Sequence, residues 1–129
     1  METESDFDLV YSYSRAQALA DGVLVDATKL AKEAGYRWPV ALTSALYHEY
    51  VVPSLSMEDS GQSETGRLWD LLTMLRLAIL RSKEVTRLSF SVLFAMHDGT
   101  EPLLVYLVSV CGPGDDGSPV LTVMLPGED

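Results

Sequence analysis

Apolar residues follow a helical repeat through the middle of this chain and alternate with polar ones near its end, so the two periodicities predict a long helix followed by a sheet. From Glu64 or Thr65 to about Ser82, with Ser60 or Ser63 as the cap, Leu68, Leu71, Leu72, Leu75, Ala78 and Ile79 project onto one arc about 120° wide, the width of a core-facing stripe. Residues 88–97 then alternate: Leu88, Phe90, Val92, Phe94 and Met96 against Ser89, Ser91, Leu93, Ala95 and His97, with Asp98-Gly99 as the turn. Residues 103–111 are apolar on both alternations, the pattern of a central strand covered on both faces, and residues 120–125 return after a turn rich in Gly and Pro. The prediction is an α+β domain: a three-stranded antiparallel C-terminal meander packed on the long helix.

The first half carries shorter signals. Ser14 offers a cap for a helix through Ala20 that Asp21-Gly22 stops; residues 23–25 form a brief apolar run; and Asp26 offers a cap for a helix ending at Glu33 or Ala34, before Gly35. Pro39 disfavours helical geometry at Trp38, and a third helix is expected from about Ala41 or Ser44 to Tyr50. Residues 1–10 are expected to be a flexible acidic arm, and residues 54–65, polar with little to bury, a mobile loop. A length of 129 residues, with no internal repeat, fits a single domain.

Charge narrows the classes of function. Nineteen acidic residues against nine Lys and Arg give a net charge of −10, which opposes broad-surface binding of DNA, RNA or anionic lipid. From Leu88 onward there is no Lys or Arg, while Asp98, Glu101, Asp115, Asp116, Glu128 and Asp129 carry −6. The lone Cys111 has no intramolecular disulfide partner, the start of the chain is acidic where a secretory signal would be basic, and no apolar run reaches membrane-spanning length. These features place the expected location in the cytoplasm.

No catalytic constellation emerges. His48-Glu49 opens a zinc-protease pattern, but Val52 stands where the second histidine belongs. His97, Asp98 and Glu101 are more simply residues of a solvated turn than metal ligands, and Asp115-Asp116-Gly117 lacks the alternating acids of a calcium loop. Cys111 sits among apolar and acidic neighbours, which favour a structural thiol over a nucleophile. No cofactor or metal is expected. On the back of the long helix Trp69, Met74, Leu77 and Leu80 leave more apolar surface than an amphipathic helix needs; the N-terminal helices or the 54–65 loop covering it is the simpler expectation, a partner surface the other.

Five blocks carry a resemblance: Tyr13-Ser14-Arg15, the run from Asp21 to Asp26, the run from Gly35 to Val40, Gly66-Arg67-Leu68-Trp69-Asp70, and the run from Cys111 to Gly117. Together they resemble an uncharacterised family of small proteins of bacterial plasmids, phages and integrative elements, which implies an accessory protein of a mobile element and brings no catalytic residues. The leading expectation is an acidic interaction module, a counter-defence inhibitor that occupies a basic groove of a host protein through Asp98, Glu101, Asp115 and Asp116 and the apolar Trp69, Met74, Leu77 and Leu80. The alternative is a small enzyme or ligand-binding domain whose pocket, between the N-terminal helices and the sheet, uses Tyr36, Trp38, His48 and Arg67.

Overall fold

The computed structural model describes residues 13–59, 61–83, 86–97 and 99–128. The expected arm at residues 1–10 falls outside them, as does Asp98. Helix α1 (Arg15–Ala20) begins with a capping box: Ser14 Oγ accepts from the Gln17 N–H at 3.0 Å, and the Gln17 side chain accepts from the Ser14 N–H at 3.1 Å. Strand β1 (Leu24–Asp26) follows. The Asp26 carboxylate accepts from the Thr28 N–H and hydroxyl, so it braces the entry to α2 (Thr28–Glu33), with Ala27 rather than Asp26 at the cap position.

Of the two starts expected for the third helix, Ser44 holds and Ala41 does not. Val40–Thr43 is a strand, β2, and only from Ser44 does the chain turn helical, as α3 (Ser44–Leu46) running into a π-helical turn, Tyr47–Val51. A three-residue apolar run is ambiguous by periodicity, and here pairing on both sides decides it. Leu24 to Asp26 pair antiparallel with Thr43 to Ala41, and Val40 to Leu42 pair parallel with Leu121 to Val123. Within the stretch expected as a loop, Leu55–Asp59 forms a short helix, α4, that buries Met57.

Helix α5 (Glu64–Arg81) is capped by Ser63, whose Oγ accepts from the Gly66 N–H at 3.0 Å. Strands β3 (Arg87–Phe94), β4 (Leu103–Pro113) and β5 (Pro119–Met124) follow. The class is α+β, but the sheet is larger than a three-stranded meander. Among the described residues it has five strands in the order β1-β2-β5-β4-β3, and it is mixed because β2 and β5 run parallel. The C-terminal strands are antiparallel neighbours, with β4 between β3 and β5, and β2 extends them on the far side of β5.

One face of this sheet holds the core. Leu68, Leu71, Leu72 and Leu75 of α5 are buried with Phe90, Val92 and Phe94 of β3, Val105 and Leu107 of β4, Leu121 and Val123 of β5, and Val40 and Leu42 of β2. Ala78 and Ile79, predicted on the same stripe, pack at its half-buried margin. On the opposite face α1 is tied to β5 by Arg15, whose guanidinium donates to Thr122 Oγ1 at 2.7 Å and to the Leu121 carbonyl at 2.8 Å. The other end of that face is open: Leu104 and Tyr106 of β4 and Leu93 of β3 are exposed, Tyr106 by 64 %. The expectation that β4 is covered on both faces therefore fails over its first half.

Candidate functional site

Two of the concave regions beside α5 have mainly apolar linings. The first lies where the chain leaves α2. Gly35, at φ +99°, ends that helix in a conformation that strains any residue with a Cβ. It turns Tyr36 inward, so that its hydroxyl donates to the Leu72 carbonyl at 2.6 Å. Burial holds the Tyr36 phenol protonated well above the usual tyrosine range, against the opposing pull of Arg76. Tyr36, Arg37 and Trp38 then line a cleft of about 260 Å³ with Gly35, Arg76, Ile79, Leu80 and Leu121. The Arg76 guanidinium lies against Gly35, where an added Cβ would stand 3.2 Å from Nε and 3.3 Å from Cζ.

Of the four residues expected to share a pocket, then, Tyr36 and Trp38 do. His48 does not: it is exposed on the π-helical turn, its Nδ1 3.0 Å from the Ser44 carbonyl. Arg67 does not line this cleft either; its guanidinium is held by backbone carbonyls. Only 3 % exposed, it donates from Nε and Nη2 to the Tyr50 carbonyl at the end of the π-helical turn, and from Nη1 to the Ala95 carbonyl just beyond β3. Its place in the cleft is taken by Arg37 and Arg76, which sequence reasoning passed over because an arginine in an acidic chain looks like ordinary charge balance.

The second region is the outer edge of β3. Cys111 N–H donates to the Thr86 carbonyl at 2.8 Å, which with the antiparallel register makes Leu88, Phe90, Val92 and Phe94 the residues bonded to β4. Ser89, Ser91 and Leu93 therefore direct their N–H and C=O groups outward, and among the described residues no strand pairs with that edge. A groove of about 310 Å³ follows it, lined by Asp70, Thr73 and Met74 of α5, Ser91, Val92 and Leu93 of β3, and Leu104 of β4. Trp69, Met74, Leu77 and Leu80 are all exposed, so the N-terminal helices and α4 leave them uncovered; Met74 lines this groove and Leu80 the first cleft. Leu93 and Leu104 line the groove and, like Tyr106, are exposed; sequence reasoning missed Leu104 and Tyr106 by assigning β4 two covered faces.

A model of a family of unknown function, DUF6573, matches residues 3–129. The chain belongs to this family. No curated protein and no solved structure matches it.

The acidic turn residues divide once their partners are seen. Asp115 is a cap rather than a free charge: its carboxylate accepts from the Arg15 and Ala16 N–H groups, at 2.8 and 3.0 Å, where α1 begins. Those two bonds, with the Arg15 charge, hold it below the usual carboxylate range. Asp116 accepts from the Ser118 N–H at 2.9 Å within the turn, and Glu101 is exposed. Because Asp115's folded pKa is depressed, its contribution to stability is complete above its unfolded value, about 3.9, and is lost as pH falls through the lower folded value. Asp115→Asn is accordingly expected to flatten the acid limb of a plot of melting temperature against pH below about pH 4. An acid limb as steep as that of the unaltered protein would show that α1 does not depend on this charge.

Among the described residues no group of three or more His, Cys, Asp or Glu is arranged to hold a metal ion, and no helix is long and apolar enough to cross a membrane. Cys111 is half-buried at the end of β4, with no disulfide.

Proposed function

We propose that this protein is an interaction module that takes an extended, basic segment of a partner protein along the open edge of β3. One observation supports this above the others: in the middle of an eight-residue edge strand Ser89, Ser91 and Leu93 carry outward backbone groups, and an apolar groove borders them. Edge strands are commonly blunted by Pro, Lys or a bulge; this one has none in its outward-facing middle. A strand added there gains main-chain hydrogen bonds, while Met74, Leu93 and Leu104 receive its alternate side chains. Asp70 in the groove and the net charge of −10 favour a basic segment and speed its approach. In the setting of a mobile element, which the sequence resemblance implies, the partner is a host defence protein with a basic nucleic-acid groove, and the module inhibits it by occupying that groove.

The test uses Ser91→Pro. Because the Ser91 N–H points away from β4, proline removes an outward donor without breaking the ladder within the sheet. Host lysate is passed over the immobilised protein at about 0.05 M and about 0.5 M salt, which changes electrostatic screening strongly. The partner is expected to be retained at low salt, released at high salt, and lost by the Pro variant, whose melting temperature stays close to that of the unaltered protein. A folded Ser91→Pro protein that captures the same partner would overturn the edge-strand reading.

A further inference from the structure

We propose that the cleft between Gly35–Trp38 and the C-terminal turns of α5 binds an amphiphilic organic anion, a carboxylate or phosphate carried on an apolar ring or short chain. The lining has the two halves such a ligand needs. Ile79, Leu80 and Leu121, with the rings of Tyr36 and Trp38, form the apolar half, and Arg37 and Arg76 the cationic half. No carboxylate lines the cleft, in a chain where acids outnumber bases nineteen to nine. Among the described residues neither guanidinium has a carboxylate partner, so both keep their donors for an anion; the planar fork suits carboxylate and phosphate alike.

The fold maintains this arrangement. Gly35 gives Arg76 room to lie against the backbone, and the hydroxyl of the half-buried Tyr36 anchors the adjoining segment to Leu72 on α5. Arg76 comes from the helix and Arg37 from the segment that follows α2, so an anion between them bridges two elements. Trp38 is 41 % exposed and Leu80 69 %, apolar surface that a bound ring would cover. The volume, about 260 Å³, falls just below the range of roughly 300–1,000 Å³ usual for drug-sized ligands, and so selects one or two rings. This site is separate from the β3 edge and does not depend on the strand-addition proposal.

The experiment titrates the full chain with 1-naphthoate, 1-naphthyl phosphate, the neutral 1-naphthalenemethanol and inorganic phosphate, following the Trp38 indole N–H by NMR, its signal assigned with Trp38→Phe. Saturable shifts are expected from one or both aryl anions, with Kd on the order of 0.1–1 mM. Which of them binds more tightly identifies the preferred head group. The neutral compound should bind at least tenfold more weakly, and inorganic phosphate should give no saturable shift. Arg37→Met and Arg76→Met should each weaken the aryl anions by tenfold or more, while Ser91→Pro leaves them unchanged. If Arg76→Met unfolds because its packing on Gly35 is lost, the exposed Arg37 carries the test alone. Equal binding of the neutral compound, no effect of Arg37→Met, or no saturable shift from either aryl anion would overturn the proposal.

Discussion

Arg67→Ala is expected to lower the unfolding free energy by about 3–5 kcal/mol in denaturant titration, a large share of the roughly 5–15 kcal/mol that holds a domain of this kind together. The guanidinium is the shared donor of two segments distant in sequence. It meets the Tyr50 carbonyl twice, at 3.0 and 2.6 Å, the Ala95 carbonyl at 2.7 Å and Gln62 Oε1 at 3.3 Å. Its Cζ lies 5.1 Å from the centre of the Phe94 ring, which in turn stacks on Tyr50. Alanine would leave both carbonyls without a donor, at about 1–3 kcal/mol for each buried group, and remove the stem that fills the space between α5 and the strand end. Arg67→Lys supplies one ammonium in place of a fork and should recover less than half of the loss. A deficit below about 1 kcal/mol for Arg67→Ala, or full recovery by lysine, would show that the fork is not what joins these segments.

Leu72→Ala is expected to cost about 2–5 kcal/mol, since the side chain is wholly buried at the centre of the helix-to-sheet interface. The neighbouring Leu71 and Leu75, also fully buried, limit how far the cavity can collapse. The Leu72 carbonyl also receives the Tyr36 hydroxyl, so a shift of the helix would be felt at the cleft. Equilibrium unfolding monitored by circular dichroism measures the cost, and a loss under about 1 kcal/mol would place Leu72 outside the structural core.

What could be read along the chain were features written within a few residues of one another. The stripe of Leu68, Leu71, Leu72 and Leu75 marked the buried face of α5, Ser63 its start, and the alternation through Phe90, Val92 and Phe94 the inward face of β3. Ser14 and Gly22 bounded α1 in the same way. A cap, a turn glycine and a hydrophobic period act through contacts between close neighbours, so the amino-acid order contains the whole signal.

The candidate sites depend on contacts between distant residues, and there the local signal ran out. Tyr36 and Trp38 were visible as aromatic residues beside a helix stop, but Arg76 joins them only because α5 crosses behind Gly35. Arg67 has the same chemistry as Arg76 and lies on the same helix; its burial against Tyr50 and Ala95 was invisible until those carbonyls were placed.

The sequence by itself determined that the protein is α+β, where its long helix and C-terminal strands run, which face of the helix and of β3 is apolar, and that it is strongly acidic, because periodicity, capping and charge are properties of neighbouring residues and of totals. Only the tertiary structure decided that Val40–Thr43 is a strand, that Asp115 caps a helix a hundred residues earlier, and that the β3 edge and the Arg37–Arg76 cleft stay open. Each of those depends on which remote segment supplies a hydrogen bond or covers a side chain, and the same residues would serve as helix, free charge or buried core beside different neighbours.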